Sequence, residues 1–121
     1  MPHVRIDGPC DLLSYWKQFE PEVQREGDRI LKAIQAYIDP AGKAVLVECM
    51  VVEGYLHQTF LAQLSPKGEG ILVKIFHGSR PEKTEGVRRC LAWIADSLVA
   101  SNPGCHRQGD TLGLPPHRSR R

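Results

Sequence analysis

Residues 43–77 read KAVLVECMVVEGYLHQTFLAQLSPKGEGILVKIFH, and this stretch decides the fold. Its apolar residues recur with a period of two, which is the period of β-strands. One apolar row runs from Val45 to Val51 on alternate residues, and a second runs from Phe60 to Leu64. We predict three consecutive antiparallel strands that fold back on one another.

The predicted turns bring the apolar rows of this meander onto one face. A tight turn at Glu53-Gly54, with residue 52 paired to 55, places 51 opposite 56 and 47 opposite 60. A loop over 65–70, with residue 64 paired to 71, places 62 opposite 73 and 60 opposite 75. We therefore expect Phe60 at the centre of the inner face, against Val47 and Ile75.

Helical patterns flank the meander on both sides. A first helix is predicted after Gly8-Pro9, with Trp16 as a core anchor, and Gly27 is a plausible C-terminal stop. The form S-x-x-E at Ser79–Glu82 predicts a capping box that opens a last helix, which ends before residue 102. Its apolar stripe comprises Val87, Cys90, Leu91, Ile94 and Leu98.

The segment Ile30–Asp39 fits either a strand or a helix. Its apolar spacing suits a helix, but Asp39-Pro40-Ala41-Gly42 has the form of a type I turn joining two strands. We favour the strand. The predicted fold is α+β, a meander sheet of three to four antiparallel strands flanked by an N-terminal and a C-terminal helix (αββββα, alternative ααβββα).

The domain is predicted over residues 1–101, and residues 102–121 are expected to be a disordered tail rich in Gly, Pro and Arg. Residues 1–100 carry 12 basic and 13 acidic residues, whereas residues 101–121 carry four arginines and one aspartate. All excess positive charge is therefore in the tail. A folded surface that held a phosphate backbone would be expected to carry a basic excess itself.

The four cysteines form no CxxC pair, so we predict reduced thiols and neither a disulfide framework nor a zinc site. The tail residues Cys105, His106 and His117 could suggest a metal, but they lack a partner on an ordered element. No apolar run approaches the length of a membrane span, and the start lacks the pattern of a secretory signal. We expect a cytoplasmic protein without a cofactor or a membrane partner.

The outer face of the predicted sheet is unusually apolar, and something is expected to cover it. The candidates are the first helix, a second copy of the chain, or another partner or ligand. The predicted interface residues on this face are Leu46, Met50, Tyr55, Leu61, Leu72 and Phe76. Three ionisable residues on the same face, Glu48, His57 and Lys74, have the chemistry for proton transfer but more often pair with one another. We therefore predict no catalytic residue, although enzymatic activity is left open.

The loop before the last helix and the basic residues around it suggest an anion site. Free backbone N–H groups at a helix start bind anions, and Ser79 and Glu82 are expected to satisfy them already. The candidate anion-binding or nucleic-acid-binding residues are Lys74, Ser79, Arg80, Lys83, Arg88 and Arg89.

The sequence favours a small non-catalytic interaction or assembly module that forms a homodimer through the outer sheet face. The alternative is a single-stranded nucleic-acid-binding module that uses a basic stripe and the tail, with Tyr55 and Phe76 as stacking platforms.

Overall fold

A computed structural model describes residues 2–114, which form seven strands and two helices. In chain order the elements are β1 (His3–Asp7), α1 (Leu12–Gln18), β2 (Glu22–Glu26), β3 (Arg29–Ile38), β4 (Val45–Glu53), β5 (Leu56–Lys67), β6 (Gly70–Ile75), α2 (Glu85–Ser101) and β7 (His106–Asp110). All seven strands form one antiparallel sheet, in the order β2-β3-β4-β5-β6-β1-β7. The expectation of three to four strands is therefore wrong, because β1, β2 and β7 arise from segments whose patterns did not predict strands.

Three of the hairpins close through two-residue turns that begin with glycine. The turns are Gly27-Asp28, Gly54-Tyr55 and Gly68-Glu69, and only the glycine of each has a positive φ. Glycine at the first central position is the pattern of a type II′ turn, whose twist matches that of paired strands. The expected turn at Glu53-Gly54 and the loop over 65–70 are thus both displaced toward the C-terminus.

This displacement shifts the predicted register by two residues and leaves the faces unchanged. Phe60 lies opposite Cys49, and Ala62 lies opposite Ile75. The prediction of Val47 and Ile75 opposite Phe60 is wrong. Because a shift of two preserves the alternation of a strand, every residue predicted on the inner face of β4 to β6 between 45 and 75 remains on it.

The segment 29–38 is a strand, as favoured, and the turn after it has the predicted form. The N–H of Gly42 donates to the carbonyl of Asp39 over 2.9 Å, which is the hydrogen bond of a β-turn. The Asp39 carboxylate accepts further bonds from the backbone N–H groups of Lys43 and Ala44. These two hydrogen bonds lower the pKa of Asp39.

Both helices pack on the inner face of the sheet. The predicted stripe of α2 is confirmed, since Val87, Cys90, Leu91, Ile94 and Leu98 are all buried. From α1, Leu12 and Tyr15 enter the same core, while the Trp16 indole donates to the carbonyl of Ala36 on β3. Trp16 is half-buried, so Tyr15 rather than Trp16 is the aromatic core residue of α1.

The last helix starts later than predicted. Its N-cap is Thr84, whose hydroxyl oxygen accepts from the N–H of Val87, and the Ser79–Glu82 capping box does not form. The carboxylate of Glu53 accepts hydrogen bonds from the N–H of Gly86 and the hydroxyl of Thr84. A Cβ on Gly86 would lie 2.5 Å from the Glu53 carboxyl carbon, so the close approach of helix and sheet requires glycine there.

Residues 102–114 belong to the folded body, which differs from the expected tail. Strand β7 pairs with β1, Asn102 accepts a hydrogen bond from the N–H of Asp11, and Leu112 is 2% exposed. The rest of the expected tail, residues 115–121, lies outside the described residues. The folded structure therefore extends at least to residue 114.

A disulfide joins Cys10 to Cys105, which corrects the prediction of four reduced thiols. It links the segment after β1 to the segment before β7 across 95 residues of sequence. The other two cysteines, Cys49 on β4 and Cys90 on α2, are free and buried. A hydrogen bond with Cys49 and burial together raise the pKa of the Cys90 thiol well above its usual value.

Phe60 and Thr59 test the assignment of the two sheet faces. Phe60 is 3% exposed on the inner face, and Thr59 is exposed on the outer face. We expect Phe60→Ala to lower the free energy of unfolding by about 3–5 kcal/mol. Thr59→Ala should change it by about 0.5 kcal/mol or less. Urea denaturation measures both, and equal losses would show that the faces are assigned wrongly.

The C-terminal segment is expected to contribute directly to stability. Leu112→Ala should cost about 2–5 kcal/mol as a buried truncation, and Leu114→Ala, at a half-buried position, should cost less. A chain ending at residue 101 should melt well below one ending at residue 114, which keeps β7 and Leu112. Equal melting temperatures for these two chains would contradict the described packing.

The thiol content tests the disulfide. Oxidised protein unfolded without reductant should take up iodoacetamide at two cysteines, Cys49 and Cys90, and at all four after reduction. Mass spectrometry counts the labels. In the control variant Cys10→Ser, three cysteines should be labelled without reductant. Four labels on the unreduced parent would show that Cys10 and Cys105 are not joined.

Candidate functional site

The outer face of the sheet is open across the described part of the chain. Because α1 and α2 both pack on the inner face, the hypothesis that the first helix covers the outer face is wrong. Large apolar side chains on the outer face are only half-buried, the state expected of a surface without a covering layer. They are Ile30, Leu46, Met50, Val52, Leu61, Leu72 and Phe76.

Five of the six predicted interface residues share this face, and the sixth lies at its end. Leu46, Met50, Leu61, Leu72 and Phe76 project from β4, β5 and the region of β6. Tyr55 is not within a strand, because it is the second residue of the β4–β5 turn. Its side chain is 104% exposed, so it protrudes fully from the hairpin tip.

Sequence reasoning missed Tyr37, which is 49% exposed on the outer face opposite Leu46. A β-bulge in β3 between Ala33 and Gln35 reverses the alternation of inward-pointing and outward-pointing side chains along the strand. Before the bulge Lys32 faces out, and after it Tyr37 does. No simple alternation rule could place both residues on one face, and the bulge leaves no clear mark in the sequence.

Tyr37 forms one wall of an apolar groove on the outer face. The groove has a volume of about 240 Å³ and is located where β3 turns into β4. Leu46 and Phe76 form its other main walls, and Ile38, Ala44 and Gln63 also line it. Two predicted interface residues thus meet in a concave site of the size of one large side chain.

The proposed acid–base group on this face does not form. The register places Glu48 opposite Leu61, His57 opposite Val52 and Lys74 opposite Gln63, in separate rows across the sheet. Glu48 instead accepts a hydrogen bond from the Tyr37 hydroxyl over 3.0 Å, which raises the pKa of that tyrosine. This arrangement offers no proton-transfer pair.

Three of the six predicted anion-binding residues bond to other groups of the protein. The Ser79 hydroxyl oxygen accepts a hydrogen bond from the Leu61 N–H over 2.9 Å. Arg88 donates to the carbonyls of Leu112 and Gly113, and Arg89 pairs with Glu85 over 2.7 Å.

The remaining three cations lie in two parts of the chain. Lys74 is on the outer face, whereas Arg80 and Lys83 are exposed in the connection between β6 and α2. The cations of the expected basic stripe therefore come from three parts of the chain, which are β6, the connection after it and α2.

Residues 2–114 contain no group of three or more His, Cys, Asp or Glu side chains placed to hold a metal ion. Cys105 is joined to Cys10, His106 is exposed on β7, and His117 lies outside the described residues. No helix among the described residues is long and apolar enough to cross a membrane.

No protein-family model matches the chain, and neither a curated protein nor a solved structure matches it.

Proposed function

We propose that this protein is a non-catalytic assembly module that forms a homodimer through its outer sheet face. The observation that supports this proposal is the row of half-buried apolar residues on β3 to β6 that neither helix covers. Contiguous apolar surface of this kind on a small domain marks an interaction site. A second copy of the chain is the partner that presents an equal and complementary surface.

The size of the face suits a dimer. Seven strands about 4.8 Å apart, with nine residues in β4 at about 3.3 Å each, give at most about 850 Å² for the whole face, and the apolar part on β3 to β6 makes up about half of it. A stable complex buries about 800 Å² on each partner, so the dimer uses the polar residues of β1, β2 and β7 as a rim around the apolar centre. Pairing at the sheet edges is less favourable, because the edge strand β2 has the sequence EVQRE and β7 has HRQGD, both rich in charge.

The fully exposed Tyr55 and the apolar groove provide a specific way to pair two copies. They lie at opposite ends of β4, with Leu46 nine residues from Tyr55, or about 30 Å in a strand. A two-fold axis that lies in the plane between the two sheets, perpendicular to the strands, stacks the sheets face to face with the strands of one copy running opposite to those of the other. Each Tyr55 then lies over the partner's groove, and a buried tyrosine in a pocket is the usual form of an interface hot spot.

We also propose that the dimer acts in the cytoplasm. The interface residues belong to β3–β6 and the hairpin tip at Tyr55, whereas the Cys10–Cys105 disulfide lies beside β1 and β7. Reducing compartments open most disulfides. The proposed interface does not require this one to be closed.

Leu61 is the central test of the interface. It lies in the middle of β5 on the outer face and is half-buried. Leu61→Lys would place a charge in the apolar centre, which costs several kcal/mol when the charge is desolvated. Sedimentation at tens of micromolar should show a folded monomer from a dimeric parent. A monomeric parent would disprove the dimer, and steep salt-dependent retention on immobilised single-stranded DNA would then favour the nucleic-acid alternative.

Tyr55 gives a sharper test, because its side chain makes no contribution to the buried core. Tyr55→Ser should leave the melting temperature of the monomer unchanged and weaken dimerisation by at least tenfold, since hot-spot truncations cost about 2 kcal/mol or more. The matched control is Leu13→Ser, which removes an exposed apolar residue from α1 on the opposite side of the sheet. If the two substitutions weaken dimerisation equally, Tyr55 does not dock in the groove.

A further inference from the structure

A second cavity lies on the inner side of the sheet, far from the outer face. It is bounded by the end of α1, the start of β2 and the middle of α2, and its volume is about 210 Å³. Ordinary pockets for drug-sized ligands begin at about 300 Å³. The cavity therefore has room for a small headgroup or one side chain.

Three aromatic side chains line this cavity: Tyr15 and Phe19 from the α1 region and Trp93 from α2. Tyr15 is 7% exposed, and its hydroxyl lies 2.8 Å from that of Ser97. The Ser97 hydroxyl donates its proton to the Ile94 carbonyl, so the Tyr15 hydroxyl must be the donor to Ser97. This chain of hydrogen bonds holds the tyrosine ring in place and directs both hydroxyl protons toward the protein rather than the cavity.

The charged side chains of the cavity are two carboxylates. Glu20 and Glu22 lie at its exposed rim, no lysine or arginine lines it, and neither carboxylate forms an ion pair within residues 2–114. Burial raises the pKa of the Tyr15 hydroxyl, and the negative charge of Glu22 raises it further. The charge of Glu22 therefore acts on the buried side of the cavity. The site thus combines aromatic walls with a negative potential.

We propose that this cavity binds an organic cation with an apolar body, such as a quaternary or methylated ammonium group. Aromatic faces attract a cation through the ring quadrupole, and such groups are commonly held by several aromatic side chains together. The carboxylates at the rim attract the cation electrostatically from a distance. Because they are exposed, they keep their hydration when the cation binds. A neutral ligand of the same shape would gain the apolar contacts only, and an anion would be repelled.

The cation can come from a free metabolite or from a modified side chain of a peptide, and the probes distinguish the two. Choline represents the free cation, a short peptide with trimethyl-lysine represents the side chain, and 3,3-dimethylbutanol is the neutral analogue of choline. Chemical shifts of full-length isotope-labelled protein, followed at Tyr15, Phe19 and the Trp93 indole, report binding. Choline should bind with a dissociation constant of about 1 mM or lower, and at least tenfold more tightly than the neutral analogue.

The variant Glu20→Gln/Glu22→Gln tests the role of charge without altering the core, because both positions are exposed. It should weaken choline binding by about fivefold to tenfold and leave the binding of the neutral analogue unchanged. The control Glu69→Gln/Glu82→Gln makes the same change in net charge at exposed positions that do not line the cavity. It should alter choline binding by less than about twofold, as expected of distant screened charges.

A tighter complex with choline would identify a free cation as the ligand, and a tighter complex with the peptide would identify a modified side chain. Equal binding of choline and its neutral analogue would overturn the proposal. So would the absence of shifts at these three aromatic residues with choline and the peptide at about 10 mM, where a 1 mM ligand is nearly saturating. Shifts at Trp16 in place of Trp93 would place binding elsewhere and would also overturn it.

Discussion

The carboxylate of Glu53 fastens the start of α2 to the sheet, and the position of that helix determines both surfaces of the molecule. Glu53 accepts hydrogen bonds from Gly86 and Thr84 and lies 3.6 Å from the Arg29 guanidinium. Hydrogen bonds to a charged group are worth about 1.5–3 kcal/mol each. The bare Cα of Gly86 lets the helix approach closely enough for them to form. With its start held there, α2 crosses the inner face and buries its whole apolar stripe.

A single long helix can cover only one face of a sheet. This constraint explains why the inner face is buried and the outer face is not. The inner face is a closed core, completed by α1 and by Leu112 after β7. The outer face has no layer within residues 2–114 and retains half-buried apolar side chains. Between the two helices the inner side leaves the aromatic cavity at Tyr15 and Trp93. The proposed interface and the proposed ligand site therefore lie on opposite sides and can be tested independently.

The glycine turns show why the sequence predicted the faces correctly and the register incorrectly. A Gly at either central position of a two-residue turn is chemically reasonable, since type I′ and type II′ turns both accept it. Moving the turn from Glu53-Gly54 to Gly54-Tyr55 shifts every cross-strand pair by two residues. Each side chain therefore stays on the same face of the sheet. At Gly68 the sequence predicts a six-residue loop over 65–70, whereas the structure extends β5 through Pro66 to a two-residue turn. The local sequence of each turn does not distinguish the alternatives.

The sequence by itself determined the features that depend on local periodicity. These are the strands of residues 45–75 and their inner face, the apolar stripe of α2, and the Asp39 turn, which favoured a strand over a helix at 29–38. Each follows from the spacing of apolar side chains or from the bonds of one turn.

The tertiary structure decided the features that depend on contacts distant in sequence. Strands β1 and β7 are short and become strands because they pair with each other and β1 with β6. Cys10 and Cys105, separated by 95 residues, meet for the same reason. Whether the outer face is covered depends on which side receives both helices, and the cavity depends on the gap between them. No local pattern encodes such relations, because each one arises only when separate elements share a core.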